Sequence, residues 1–278
     1  MFLSTCRFLG LSLVLSLPLC AQKPLFSFGL IADIEWADRD DSAGCYHRAV
    51  AGKLREAVHA LNYEPLRFVV QLGDLIYARG DEVVHAQENM DAALSVLTKL
   101  KAPLYHVAGE HCREVGIDVL RKKWKATRLY RDFTVTGLHG WRFVILDGAE
   151  EGDGFLGRDQ IAWFGKTLAQ AMKKKERVIV FSHYPLIREA APSRRLSRPD
   201  TLLAILDSLP CVAAWIAGHD HGGGYAVRNG VHHITIRALV AYPERATYSI
   251  VNVFADRIVE LGCGFEPVRV CSFEPVKK

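Results

Sequence analysis

Seven side chains of types that commonly bind divalent cations follow five short apolar segments of this sequence. Four are carboxylates and three are imidazoles. In chain order they are Asp33, Glu35, Asp74, Glu110, His183, His219 and His221. Neutral imidazoles and carboxylates together suit divalent ions such as manganese, iron and zinc. The series therefore predicts a metal site.

Spacing strengthens this prediction. The pair Asp33 and Glu35 and the pair His219 and His221 are each separated by one residue, so on extended backbone both members of a pair point to the same side. Each segment alone has a plainer interpretation, because an acid after a strand often caps a turn and His183 could be a packed core histidine. Five such segments in one chain are hard to explain by packing alone.

The number of candidate ligands indicates two ions. Seven exceed the roughly four to six that one ion usually accepts, so two ions sharing Asp74 as a bridging carboxylate is the economical arrangement. Two neighbouring ions lower the pKa of a shared water and hold the oxygens of a phosphoryl group. The predicted chemistry is phosphoester hydrolysis. His111, beside a ligand, is predicted to protonate the leaving oxygen or to stabilise the transition state.

Short apolar runs that alternate with amphipathic stretches must position these residues. The predicted strands are 25–32, 67–72, 103–107, 141–147, 177–182 and 212–217. The predicted helices are 44–62, 83–100, 114–123, 158–173 and 199–208. After Gly224 the pattern becomes a hairpin turning at Asn229 and Gly230, followed by strands near 246–254 and 257–262. This predicts one α/β domain with two mixed sheets packed face to face and helices outside.

Composition excludes some classes of protein. Of the 278 residues, 50% are hydrophobic and the net charge is only +4, which argues against a nucleic-acid polymer or a membrane surface as partner. Residues 1–21 have the pattern of a secretory signal peptide, which leaves a domain of 22–278 with no stable membrane span. Export to a periplasm or to the medium is therefore expected. An uncleaved anchor is the alternative, and a lipoprotein signal at Cys20 is weaker because Leu19 precedes it.

Five of the seven cysteines lie outside that leader, at Cys45, Cys112, Cys211, Cys263 and Cys271. No CxxC pair occurs, so a zinc cluster of thiolates is not expected. Cys263 and Cys271 are the nearest pair in sequence, but spacing alone does not establish a bridge.

The motif series resembles that of the calcineurin-like metallophosphoesterase superfamily. Within it, the segments ADIEWAD, QLGDLI, SHYPL and AGHDHGGGY resemble the manganese-dependent ADP-ribose/CDP-alcohol diphosphatase branch. The resemblance implies a four-layer α/β/β/α sandwich and two metal ions, manganese or iron before zinc or magnesium. It implies His111 as the catalytic histidine. It assigns the first ion to Asp33, Glu35, Asp74 and His221, and the second to Asp74, Glu110, His183 and His219.

Two positions depart from the family pattern. Glu35 stands where the family has His or Gln, and Glu110 replaces an Asn. With two divalent ions these carboxylates bring the charge of the site near zero, which predicts slower turnover or a changed metal preference. A catalytically silent metal- or ligand-binding protein on the same fold is the alternative. An exported phosphomonoesterase is a second one.

The substrate is predicted to be a small phosphorylated molecule, such as a nucleotide diphosphate or a phosphodiester. Four arginines in the loop after His183 are candidates for binding a second phosphate: Arg188, Arg194, Arg195 and Arg198. Tyr225 is a candidate for stacking on a base. The alternatives are ordinary exposed charges for the four arginines and simple packing for Tyr225.

Overall fold

The computed structural model describes residues 22–192 and 194–273, without the side chains of residues 81 and 82. The predicted leader, residues 1–21, lies outside the described residues. Within the described ranges, no helix combines the length and the apolar character needed to cross a membrane.

The strands of the described chain form two six-stranded sheets. They are β1 (Phe26–Ile31), β2 (Val69–Gln71), β3 (Leu104–His106), β4 (Arg131–Phe133), β5 (Trp141–Ile145), β6 (Arg177–Phe181), β7 (Val212–Ala217), β8 (Gly224–Arg228), β9 (Val231–Thr235), β10 (Tyr248–Val253), β11 (Arg257–Cys263) and β12 (Arg269–Ser272). The helices are α1 (Val50–Leu61), α2 (Ala86–Leu97), α3 (Glu110–Arg113), α4 (Ile117–Lys123), α5 (Arg158–Lys173) and α6 (Asp200–Ser208). Short 3-10 turns cover His47–Ala49 and Gly80–His85.

Both sheets are mixed. The first has the order β12-β11-β10-β1-β2-β3, with β1, β2 and β3 parallel. The second has the order β4-β5-β6-β7-β9-β8, with β5, β6, β7 and β9 parallel. Because helices connect most of the parallel strands, these strands point the same way and bring the loops after them to one edge of each sheet.

The two sheets pack face to face through an aromatic layer. The Phe68 ring lies 5.0 Å from the Phe28 ring and 4.8 Å from the Phe143 ring, between centroids, and all three are fully buried. On the outer face of the first sheet, α1 packs Val50 and Leu54, whose helical spacing puts them on its buried side. Helices α5 and α6 cover the second sheet in the same way. The predicted four-layer α/β/β/α sandwich is confirmed.

Some predicted bounds were wrong. The helix predicted for 44–62 begins at Val50, because Gly44 has a φ of +80° in a tight turn that a helix cannot contain. Strands β4 and β12 were missed, since each is only three or four residues long at a sheet edge. The hairpin at Asn229 and Gly230 is present, between β8 and β9.

The five described cysteines are all free thiols. Cys271 pairs in register with Ile258 of β11, whereas Cys263 pairs with Tyr248 at the other end of that strand. The nearest cysteine pair in sequence is therefore not a disulfide here.

Candidate metal centre

The candidate ligands lie at the carboxyl ends of parallel strands. Asp33 follows β1, Asp74 follows β2 and Glu110 begins α3 after β3, all in the first sheet. His183 follows β6 and His219 follows β7 in the second sheet. The site is thus assembled where loops of the two packed sheets meet.

The backbone at several of these positions is unusual. Asp33 and Glu35 have φ values of +48°, Asp74 has +46° and His219 has +66°. Non-glycine residues rarely adopt this left-handed region, and each such residue costs on the order of 1–3 kcal/mol. Four candidate ligands therefore keep a strained backbone conformation.

Neighbouring glycines allow these side chains to approach closely. A Cβ atom at Gly73 would lie 2.2 Å from His183 Nδ1, and one at Gly109 would lie 2.2 Å from Asp74 Oδ1. A Cβ atom at Gly218 would lie 2.5 Å from Asp33 Oδ2. Any larger residue at these glycines would displace a candidate ligand.

Four candidate ligands of the second ion form a compact buried cluster. The ligand atoms of Asp74, Glu110, His183 and His219 all lie within 4.8 Å of one another. His183 Nε2 is 3.0 Å from Glu110 Oε2 and 3.2 Å from Asp74 Oδ2. His183 Nδ1 donates to the Leu72 carbonyl at 2.9 Å, so Nε2 is the ring atom available to a cation.

The ligands assigned to the first ion lie next to this cluster and are spread more widely. His221 Nε2 is 3.2 Å from Glu35 Oε1 and 4.0 Å from Asp33 Oδ1. Both carboxylate oxygens of Asp33 accept the His219 backbone N–H at 3.0 Å. The structure therefore brings all seven predicted ligands into one region. The ligands assigned to the second ion lie closer to one another than those assigned to the first.

The pKa values of the buried ligands in this region are shifted in the way expected of a site that binds cations. Burial raises the pKa of Asp33 to about 7 and also raises the pKa of Asp74. Burial disfavours protonation of His183, but the carboxylates of Asp74 and Glu110 outweigh it and raise the His183 pKa. Buried carboxylates and imidazoles this close together are the donor set of a two-cation site, which would keep the carboxylates ionised. The residues present fit such a pair of ions.

A cavity of about 600 Å³ opens onto the cluster. Its wall includes Glu110, His111 and His219, together with Arg194 from the loop after His183 and Arg79, which the sequence did not single out. This volume suits a small molecule.

Arg188 and Tyr225 are not on the wall of this cavity. Arg188 lines a separate cavity between α6 and β8, with Leu203 and Val227. The Tyr225 hydroxyl is 2.9 Å from His232 Nδ1, and the two rings stack. The structure does not place either residue beside the predicted ligands, so their predicted contact with substrate has no support from this geometry.

Comparison with known proteins agrees with the geometry. The family description "Calcineurin-like phosphoesterase" matches residues 26–223, which is more than half of the chain. The chain belongs to the calcineurin-like phosphoesterase family. It is therefore a metal-dependent hydrolase of phosphoester bonds, and the silent-protein alternative is not favoured.

Several relatives align over most of both chains. A manganese-dependent ADP-ribose/CDP-alcohol diphosphatase of Oryza sativa subsp. japonica is 27% identical, over 92% of this chain and 96% of its own length. The protein of the same name from Mus musculus is 25% identical, over 94% and 97%. A dimetal phosphatase from Danio rerio shares the fold, with a TM-score of 0.80, 24% identity and coverage of 91% of this chain and all of its own. The predicted resemblance to the manganese-dependent ADP-ribose/CDP-alcohol diphosphatases is thus confirmed.

In this phosphoesterase, His111 is held by the backbone as well as by its ring. Its N–H donates to Asp74 Oδ1 at 3.0 Å, and its ring lies 4.6 Å from the Tyr77 ring. The Arg113 guanidinium forms an ion pair with Asp147 that ties α3 to the end of β5. His111 is thereby fixed between the ligand cluster and the cavity.

Tyr184 contacts a candidate ligand and was not predicted from the sequence. Its hydroxyl donates to Glu110 Oε2 at 2.8 Å, while the Arg79 guanidinium lies 3.6 Å from Glu110 Oε1. Burial disfavours ionisation of Glu110, but the His183 hydrogen bond and charge outweigh it and hold its pKa below its ordinary value. A tyrosine directly after a histidine carries no sequence signal for this role, because the contact depends on the turn that follows β6.

Lys53 binds the loop that pairs with the segment carrying Asp33. Its ammonium donates to the carbonyls of Leu239 at 2.5 Å and Tyr242 at 2.6 Å, although it is a buried residue of α1. The same loop pairs with the ligand segment, since the Val240 N–H donates to the Asp33 carbonyl at 3.1 Å. Lys53 therefore connects α1 to the backbone that carries Asp33.

We expect Lys53→Met to lower the free energy of unfolding by about 2–3 kcal/mol, because buried carbonyls lose a charged donor. Urea unfolding at pH 7 measures this loss. The matched control is Lys173→Met, which changes an exposed lysine of α5 and should have little effect.

Burial also lowers the pKa of Lys53 to about 8. The folded wild type then binds fewer protons than the unfolded chain and gains stability from about pH 8 toward 10.5, a gain that Lys53→Met should lack. A free energy of unfolding for Lys53→Met equal to that of Lys173→Met would contradict this role of Lys53.

Proposed function

We propose that this phosphoesterase is a two-metal diphosphatase that hydrolyses the phosphoanhydride bond of small nucleotide diphosphate compounds. The observation that carries the proposal is the buried cluster of Asp74, Glu110, His183 and His219 at the base of a cavity with two arginines on its wall. The names of the relatives, which are manganese-dependent diphosphatases, support the same substrate class.

We assign Asp33, Glu35, Asp74 and His221 to one ion, and Asp74, Glu110, His183 and His219 to the other. Manganese is the first candidate, because the relatives depend on it by name, with iron, zinc and magnesium as the others. When bound, the ions supply Lewis-acid activation of water and of the phosphoryl oxygens.

The protein's own groups then orient the substrate and handle the proton. The His111 Nδ1 lies 3.4 Å from the Ala78 N–H and 3.3 Å from the Ala78 carbonyl, so both backbone contacts use Nδ1 and Nε2 is the ring atom that can meet the substrate. When Nε2 carries the proton, the ring can give that proton to the leaving phosphate oxygen on the cavity side. Arg79 and Arg194 are exposed guanidiniums that can pair with the phosphate that remains on the leaving group.

The test is a substrate panel with the purified, manganese-loaded protein. ADP-ribose and a CDP-alcohol represent diphosphates, bis(p-nitrophenyl) phosphate represents diesters, and p-nitrophenyl phosphate represents monoesters. We expect the highest kcat/KM on the diphosphates and no turnover after chelation. Preference for the monoester would overturn the diphosphatase assignment in favour of a phosphomonoesterase.

We also propose that residues 1–21 are removed on export and that the mature domain is 22–278, in a periplasm or in the medium. The support is the sequence of the leader, with its single Arg7, its apolar run and its exit at Ala21. Intact-mass measurement of the native protein should give a chain that begins at Gln22. An uncleaved chain in the membrane fraction would contradict the proposal.

Glu110→Asn tests whether the carboxylate at position 110, where the family has Asn, changes the manganese affinity and the turnover of the site. Removing one negative charge should weaken manganese binding about ten-fold or more, since outer partners of metal ligands alone contribute 10- to 100-fold. Turnover of the fully loaded variant should rise, because the site attracts an anionic phosphate more strongly. Calorimetric titration with manganese and steady-state kinetics measure the two effects. Glu114→Asn, an exposed glutamate one turn away, is the matched control. Unchanged affinity and rate in Glu110→Asn would contradict the assigned role of Glu110.

A further inference from the structure

A second kind of donor cluster lies on the wall of the same cavity, beside the first-ion ligands. One ligand atom each from Glu35, Cys45 and His47 lies within 4.8 Å of the other two. Cys45 and His47 belong to neither ion of the phosphoesterase centre assigned above. The cluster therefore brings a sulfur and an additional imidazole to the edge of the active site.

A tight turn fixes the position of Cys45. The Cys45 N–H donates to the Ser42 carbonyl at 2.8 Å, and the Ser42 N–H donates back to the Cys45 carbonyl at 3.2 Å. Ala43 and Gly44 between them have φ values of +50° and +80°. The next residue is also held, because the Tyr46 N–H donates to the Val240 carbonyl at 2.9 Å. The sulfur is thus presented by a structured turn, half-buried and open to the cavity.

His47 has its ring oriented for a cation. Its Nδ1 lies 3.0 Å from the Glu35 backbone carbonyl, and a carbonyl only accepts, so Nδ1 carries the proton and Nε2 has the free lone pair. Its Nε2 faces Glu35 Oε2 at 3.9 Å, which is too long for a hydrogen bond. The side chain is 2% exposed. A histidine that donates one ring N–H to a carbonyl and offers the other nitrogen is the usual arrangement of a metal ligand.

Glu35 and His221 connect this cluster to the first-ion position. Glu35 directs Oε1 to His221 Nε2 at 3.2 Å and Oε2 to His47 Nε2. His221 Nδ1 lies 3.6 Å from Cys45 Sγ. With Nε2 on the side of the first ion, the His221 Nδ1–H points at the sulfur, and a thiolate that binds a cation can still accept that hydrogen bond.

We propose that Glu35, Cys45 and His47 form a third metal position that takes a thiophilic divalent cation such as zinc. Sulfur, imidazole and carboxylate donors with a fourth position open to solvent are a common zinc environment, whereas manganese prefers oxygen donors. Donor atoms in a tetrahedral zinc site are about 3.4–3.8 Å apart by the usual bond lengths. The 3.9 Å between His47 Nε2 and Glu35 Oε2 is close to that value. Binding at this position does not require phosphoesterase activity, so it can be tested independently of the proposed reaction.

The test uses cobalt, which replaces zinc and reports a bound thiolate by a sulfur-to-cobalt charge-transfer band. The full mature protein is saturated with manganese and titrated with cobalt. We expect the band to saturate at the intensity of one cobalt–sulfur bond per chain, because the ligands assigned to the other two ions include no sulfur and cobalt that displaces manganese there adds nothing to the band. Cys45→Ser should abolish the band, and His47→Ala should weaken cobalt binding at least ten-fold. Cys263→Ser, which changes another half-buried free cysteine, is the matched control and should keep the band.

A wild-type protein without the band, or a band that survives in Cys45→Ser, would overturn the proposal. A second measurement needs no variant and covers a Cys45→Ser chain that fails to fold. Iodoacetamide labelling of the wild type, read by peptide mass, should slow at Cys45 when zinc is added and stay unchanged at Cys263. Equal labelling of Cys45 with and without zinc would contradict the third position.

Discussion

Replacing His111 by alanine should lower the turnover of the manganese-loaded enzyme on its best diphosphate substrate by about 10²- to 10⁴-fold, the usual contribution of general acid–base catalysis. The backbone N–H of residue 111 still donates to Asp74 Oδ1 in the variant, so the ligand cluster should keep its shape. Manganese affinity should therefore change little while kcat falls. Steady-state kinetics and calorimetric titration on the same preparation measure both quantities.

The matched control is His59→Ala, which removes an exposed histidine of α1. A second readout is a substrate with a better leaving group, which needs less help from an acid and should lose less rate in His111→Ala. If manganese affinity fell in parallel with kcat, His111 would be a ligand and the assignment of a proton donor would be wrong. His111, Glu35 and Asp74 have ligand atoms within 4.8 Å of one another, so this outcome has a clear structural meaning.

Replacing Asp74 by asparagine should remove nearly all activity, because one carboxylate is assigned to both ions. Asp74 is 1% exposed, and its Oδ2 lies 3.2 Å from His183 Nε2 at the centre of the cluster. We expect a loss of at least about 10³-fold in kcat/KM at the manganese concentration that saturates the wild type. Manganese should also stabilise the wild type by about 2.7 kcal/mol at a hundred times its Kd, and the variant by much less.

Thermal melting with and without manganese measures the second effect independently of any substrate. Asp256→Asn, a surface carboxylate paired with Arg257, is the control and should keep the full manganese-induced shift. If Asp74→Asn kept that shift, Asp74 would not be the bridging ligand. If it lost the shift but kept turnover, the reaction would not depend on the assigned ions.

The sequence was most informative where a ligand follows a strand directly. Asp33, Asp74, His183 and His219 each come two or three residues after an apolar run, so their meeting at one edge follows from the parallel strands. Glu110 was also predicted, although it begins a four-residue helix that periodicity could not detect. Short elements give too few residues for a period to be visible.

The residues that the sequence missed act through contacts between distant segments. Lys53 reaches carbonyls near Leu239, and Arg79 reaches Glu110, by side chains whose direction depends on the assembled fold. Arg188 and Arg194 were singled out together in the loop after His183, yet Arg188 lines a different cavity, whereas Arg194 lies on the wall of the cavity at the ligand cluster. Closeness in sequence to a ligand could not tell these two arginines apart, because a loop can reverse direction within a few residues.

The left-handed backbone at the ligand positions has a consequence for laboratory evolution. A chain selected only for heat resistance, in buffer without metal, would gain from glycine at Asp33, Glu35, Asp74 and His219, since glycine adopts a positive φ without strain. Those substitutions would improve the scaffold and destroy its chemistry. Metal should therefore be present throughout any stabilisation screen, so that each round rewards the occupied site together with the fold.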